Sequence, residues 1–270
     1  LKTGLSWSFR TVPAPAVIGV TPMDGSRAAN FNSELRIRFA SPMKIDTVKQ
    51  RIQITPSPAE KVEWWYNEWD WSIASFALKP STRYEVRFLP GMEDIYGNTI
   101  QTSQVVRFTT GAYEPNANLE MPYEPAIMRQ DGPQEFYVGH RNIKSLQVRL
   151  YQISLEDFVG LQTGALSFSA YEPDESELVW QEKRQSRAML NERVLEKFTP
   201  LAKDKQALEN GYYFLALNSP EVTYNLPYAD TRLIVVASAS LNLKTSATDA
   251  LVWLTGLSSG SPVSGVPVKI

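Results

Sequence analysis

Apolar and polar side chains alternate in short runs along most of the chain. Leu35, Ile37 and Phe39 are interleaved with Arg36 and Arg38, and Tyr84, Val86 and Phe88 with Glu85 and Arg87. Leu146, Val148 and Leu150 repeat the pattern around Gln147 and Arg149. Successive side chains of a strand point to opposite faces, so a period of two buries one set and leaves the other in water. Leu233, Ile234, Val235 and Val236 form an unbroken apolar run, as expected of a strand covered on both faces. The 18 prolines punctuate these runs and leave little room for long helices. The pattern predicts an all-β chain of tandem β-sandwich domains. Two stretches could be helical, the one opening at Ser154 and residues 175–190, with a further single turn near residue 46. Ser154 with Asp157 three residues on predicts a capped turn or two, and residues 46–51 a single turn. Residues 175–190 fit neither period and read as strands flanking a loop.

An incomplete internal repeat suggests how the strands are grouped. Trp7-Ser8-Phe9-Arg10-Thr11 is followed by Pro13 and Pro15, and Val106-Arg107-Phe108-Thr109-Thr110 by Pro115. Each reads as a last strand leading into a proline-marked linker. Residues 1–14 are thus expected to be the tail of a preceding domain with its linker, and residues 15–111 the first full domain. Residues 112–231 are expected to form a second domain. In residues 232–270 a strand (251–254), a turn and a further strand ending at Val268 read as the start of a third. The chain opens on Leu1-Lys2-Thr3 and closes mid-pattern, so we read it as an internal segment of a longer protein.

Composition narrows the chemistry. Apolar residues make up 43% of the 270, enough for ordinary cores. The 27 basic and 29 acidic side chains nearly cancel, which argues against a nucleic-acid-binding domain. No apolar run approaches the roughly 18 residues of a membrane-spanning helix. There is no cysteine, which excludes disulfides, thiolate metal sites, cysteine nucleophiles and thioesters built on cysteine. The single histidine, His140, excludes a histidine-rich metal site.

Two stretches carry family resemblances. Thr21-Pro22-Met23-Asp24-Gly25, Leu35-x-Ile37-x-Phe39, Ser41-Pro42-Met43, Ile52-x-Ile54-x-Pro56, Leu78-x-Pro80-x-Thr82-x-Tyr84-x-Val86, Asp94-x-x-Gly97-Asn98 and Phe108-Thr109-Thr110 together resemble a bacterial Ig-like domain. Phe136-Tyr137-Val138, Arg141 to Leu146, Val148 to Tyr151, Asp157-Phe158, Gly211-Tyr212-Tyr213 and Ala250 to Leu257 resemble a macroglobulin-type domain of a bacterial alpha-2-macroglobulin. The closing residues 260–268 are similar to the opening strands of a further such repeat. This resemblance implies part of a large extracytoplasmic, periplasmic or cell-surface, protein that inhibits proteases by entrapment. A protease cuts a bait segment in such proteins, and many also form a covalent link through a Cys-Gly-Glu-Gln thioester. This segment has no cysteine and no bait-like stretch. The resemblance therefore implies a non-enzymatic scaffold with no cofactor or metal. Its partners would be other domains of the same chain and, through the whole protein, target proteases.

The stretch Trp64-Trp65-Tyr66-Asn67-Glu68-Trp69-Asp70-Trp71 is the one candidate binding surface. In the plainer of two readings, Asn67-Glu68 turns an aromatic hairpin. Val62, Trp64 and Tyr66 then face the core, Trp69, Trp71 and Ile73 pair with them, and only Trp65 points away. In the other, Trp64, Trp65, Tyr66, Trp69 and Trp71 form a stacking platform for sugars or extended peptides, as in an adhesin or glycan-binding module. Three or more coplanar exposed rings would favour the platform. An accessory domain of a secreted hydrolase is a third possibility, decided by whether a catalytic domain follows residue 270. His140, beside Arg141 and Asn142, is expected to be a surface or turn histidine, since no Gly-x-Ser-x-Gly elbow accompanies it. Asp94 to Asn98 lacks the carboxylates a calcium loop needs and is expected to be a structural turn. No catalytic residue is assigned.

Overall fold

The computed structural model describes residues 7–8, 11–58, 62–75, 78–202, 204, 206–224 and 227–267. Residues 9 and 10, which carry much of the expected first strand, and residues 268–270, which hold the expected last one, lie outside the described residues. Contacts divide the chain into two units, Leu1–Tyr113 and Glu114–Ile270.

The first unit contains β1 (Val17–Thr21), β2 (Leu35–Phe39), α1 (Ile45–Lys49), β3 (Ile52–Thr55), β4 (Trp65–Asn67), β5 (Ser72–Ser75), β6 (Arg83–Phe88) and β7 (Gln104–Thr109). One sheet has the order β1-β2-β5-β4, the other β3-β6-β7. The alternation works as the sequence predicts. Leu35, Ile37 and Phe39 on one sheet and Tyr84, Val86 and Phe88 on the other are almost completely buried in a single core with Ile73, Val106 and Phe108.

The second unit begins with β8 (Asn116–Leu119), β9 (Ala126–Arg129), β10 (Phe136–Arg141), β11 (Ser145–Ile153) and α2 (Leu155–Thr163). It continues with β12 (Leu178–Gln185), β13 (Val194–Phe198), β14 (Gly211–Asn218), β15 (Asp230–Ala237), β16 (Ala239–Thr245) and β17 (Ala250–Gly256). A three-stranded sheet, β13-β10-β8, packs on a five-stranded one, β12-β11-β14-β15-β9. The shared core includes Phe136, Val138, Phe198, Leu146, Val148, Leu150, Leu215, Leu217, Ile234 and Val236. The opposite face of the larger sheet is also covered. Tyr151, Phe214, Ala216 and Leu233 pack there against Leu161 and Phe158 of α2, with Phe168 and Tyr171 from the loop that follows. This is why β14 and β15 are continuous apolar runs. Ser154 caps α2 as its sequence predicts, its hydroxyl accepting from Asp157 N at 3.0 Å, and Gly164 closes the helix in the left-handed region.

The expected domain break at residue 231 needs correction. It falls inside β15, which pairs with β14 from Asp230 to Val236 and so belongs to the second sandwich. The sheet ends at Ala237, and β16 with β17 forms a separate two-stranded hairpin. Of the strand expected after residue 260, the described residues form an isolated bridge between Pro262 and Thr255, with Val263 N donating to Leu254 O at 2.9 Å.

Candidate functional site

The aromatic stretch forms an antiparallel hairpin with a longer turn than Asn67-Glu68. β4 and β5 pair through Trp65 with Ala74, Tyr66 with Ile73 and Asn67 with Ser72. The turn is therefore Glu68 to Trp71, two residues longer than an Asn67-Glu68 hairpin. Trp71 adopts φ 51°, rare for a bulky residue, and its carbonyl accepts from Phe39 N at 3.0 Å. Asn67 Oδ1 accepts from Trp69 N at 2.9 Å. The Asp70 carboxylate accepts from Ser72 Oγ at 2.7 Å and from Arg36 Nη1 at 3.2 Å. This bracing leaves Trp69, expected to pair across the hairpin, 97% exposed. Trp65 is 51% exposed, while Trp64, Tyr66 and Trp71 are half-buried. Trp64 packs on the first core, and the Tyr66 hydroxyl accepts from Met43 N at 3.3 Å. Two indoles, not three or more rings, face water.

His140 is buried in β10, contrary to the expectation of a surface residue. It follows Phe136 and Val138 at alternate positions, so the pleat points it inward. Its Nε2 lies 2.9 Å from Glu196 Oε1 on β13, and its Nδ1 has no partner. Glu196 Oε2 accepts from Arg184 Nη1 at 3.1 Å, and the same nitrogen donates to Lys197 O at 2.9 Å. The Arg184 guanidinium lies 3.7 Å over the Phe198 ring. Burial pushes the Glu196 carboxyl up, but hydrogen bonds from His140 and Arg184 hold it below the usual glutamate range. The chain His140–Glu196–Arg184 joins β10 and β13 of one sheet to β12 of the other. It has the histidine and carboxylate of a hydrolytic triad, but the third group is an arginine, which cannot act as a nucleophile.

A second charged clasp closes the other side of the same sandwich. Asp230 on β15 accepts from Leu119 N of β8 at 2.8 Å. It also pairs with the buried Arg232, which donates to Leu119 O at 3.4 Å and lies 4.1 Å over Tyr123. Neither clasp was found from sequence, because Glu196 and Leu119 lie 56 and 111 residues from their partners.

Asp94 is buried in the turn expected of it. Its carboxylate accepts from Tyr96 N at 2.9 Å, Asn98 N at 2.8 Å and Asn98 Nδ2 at 3.0 Å, and Gly97 takes φ 91°. Burial raises the Asp94 carboxyl, and these donors bring it below its ordinary value. Among the described residues no three His, Cys, Asp or Glu side chains are placed to hold a metal ion. Surface depressions lie beside Tyr213, Glu177 and Glu209 (about 540 Å³) and beside Arg187, Glu192 and Val194 (about 620 Å³). In the first, burial and then Glu209 push the Tyr213 phenol up to about 12, so it remains a neutral donor at neutral pH.

Residues 6–110 match the bacterial Ig-like domain family. No curated protein matches the chain. Among solved structures it is similar to a point mutant of Salmonella alpha-2-macroglobulin, with a TM-score of 0.61 and 13% identity over 91% of this chain and 15% of that one. It is similar also to Salmonella alpha-2-macroglobulin reacted with methylamine, with a TM-score of 0.60 and 15% identity over the same shares. A crystal structure of native Escherichia coli alpha-2-macroglobulin spanning domains MG0-NIE-MG1 aligns with 93% of this chain and 80% of that one, at 15% identity and a TM-score of 0.45. At these identities the shared property is the fold. The chain spans 15% of the length of the Salmonella proteins.

Proposed function

We propose that this chain is a non-catalytic structural segment of a bacterial alpha-2-macroglobulin-like protease inhibitor that works outside the cytoplasm. The observation that carries the reading is the sustained fold match, 91% of the chain against Salmonella alpha-2-macroglobulin at a TM-score of 0.61. The segment has neither a cysteine for a thioester nor a bait-like stretch. Its part would be to hold other domains of the same chain in place while target proteases are engaged elsewhere. Stability without disulfides would come from the two cores and the two charged clasps.

The β16–β17 hairpin fits this reading as the opening of a further macroglobulin-type domain. An isolated two-stranded hairpin is at best marginally stable in water. This one leaves Leu241, Leu243, Leu251 and Trp253 between 50% and 58% exposed, surface that additional strands would cover. The test is a titration of proteases of several specificities with the isolated 270 residues. The segment should neither cleave substrates nor inhibit any protease at equimolar ratio. Stoichiometric inhibition by the segment alone would contradict the scaffold role.

A further inference from the structure

We propose that Ser238 is a hinge, and that Asp131 and Ser258 form the latch that sets the angle of the β16–β17 hairpin against the second sandwich. The joint stands on its own contacts. Only what the hairpin carries, the rest of a macroglobulin-type domain, rests on the reading above.

The hairpin is attached to the sandwich without being packed on it. β15 ends at Ala237 and β16 begins at Ala239, which leaves the exposed Ser238 as the single residue between them. No described side chain from Ala239 to Gly256 is buried, and none belongs to either core of the second unit. Close-packed cores transmit strain and hold their elements in register. The hairpin shares no core with the sandwich and lacks that restraint. Hinges are commonly one or a few residues at the ends of elements, as Ser238 is.

What holds the hairpin is polar and gathers around Ser238. Leu257 N, just past β17, donates to Ser238 O at 2.9 Å. Asn210 Nδ2, just before β14, donates to Ser238 Oγ at 3.1 Å. The turn after β17 reaches further, and there Ser258 Oγ donates to Asp131 Oδ2. Asp131 belongs to a tight turn in which Gly132 N donates to Arg129 O at 3.2 Å. That turn starts where the sheet stops. Arg129 of β9 lies opposite Ala237 of β15, and Gln130 N donates to Ala237 O at 3.2 Å.

The latch is aimed from the sandwich side. Arg129 Nε lies 3.7 Å from Asp131 Oδ1, which leaves Oδ2 for the hairpin's hydroxyl. Gly132 makes room for this arrangement, since a Cβ there would lie 2.9 Å from Arg129 Nε. The Ser258 hydroxyl, and after it Arg129, hold the Asp131 carboxyl below its ordinary value against the effect of burial. It is therefore a charged acceptor at neutral pH. A hydrogen bond made in competition with water shifts an equilibrium by about two- to tenfold. The latch thus favours one angle without locking it, and the released state remains a populated minor state.

The experiment exploits the absence of cysteine from the chain. Spin labels on K183C, at the exposed edge of β12, and on A247C, at the tip of the hairpin, report their separation by double electron–electron resonance. The unaltered joint should give one dominant, narrow distance. D131A and S258A should each raise the population at other distances at least twofold, and the double variant should add nothing to either. The denaturation midpoint of the second unit should stay in place in both variants, because the latch lies outside its cores. The same distribution in all four proteins, narrow or broad, would overturn the proposal. A lowered midpoint in the single variants would assign the contact to the fold itself and overturn it too. A chain that shows the latch, in a full-length protein that traps no protease, would leave this proposal standing while the inhibitor reading fell.

Discussion

His140 shows how much depends on single polar contacts in the second sandwich. Its ring is buried, and among the described residues Glu196 is the one hydrogen-bond partner of that ring. E196Q removes the charge that ties His140 to Arg184 and should destabilise the second unit by about 1–3 kcal/mol in chemical denaturation, leaving the first unit's transition unchanged. The sign with pH follows from the lowered Glu196 carboxyl. A carboxylate held below its unfolded value stabilises the fold above that value and loses the contribution as pH falls through the folded one. The wild-type second unit should therefore lose stability with acid more steeply than E196Q. Parallel acid limbs would show that the clasp contributes nothing. On the opposite side, D230A strands the 5%-exposed Arg232 without its carboxylate. That change should cost about 3–5 kcal/mol, the range for breaking one side of a buried pair. A loss below about 1 kcal/mol would mean that water or Tyr123 replaces Asp230.

Among the elements, α2 has the clearest structural duty. It covers the face of the larger sheet that the other sandwich layer does not reach, with Leu161 buried against Tyr151, Phe214 and Leu233. L161A should destabilise the second unit by about 2–5 kcal/mol, and S154A, which removes the cap, by about 1 kcal/mol. Differential scanning calorimetry that separates the two units would check both. Strand interiors were legible in the sequence because the period of two is local: Leu35-x-Ile37-x-Phe39 and Leu146-x-Val148-x-Leu150 bury as read. His140 obeyed the same rule two places after Val138, but its polarity concealed that it pointed inward. The turn at Glu68 to Trp71 was illegible because a tryptophan in the left-handed region has no sequence mark. The end of the second sandwich was misplaced because β15 is held by pairing with β14, and pairing between distant strands leaves no trace in either strand alone.

At the scale of the molecule, the chain combines two separately cored sandwich units with a hairpin whose apolar side chains remain largely uncovered. The most direct test uses the full-length protein with a protease and two substrates, one a large protein and one a small peptide. If the proposed entrapment holds, the protease should lose cleavage of the large substrate and keep turning over the small one. Undiminished cleavage of the large substrate, with the protein in excess over protease, would contradict it.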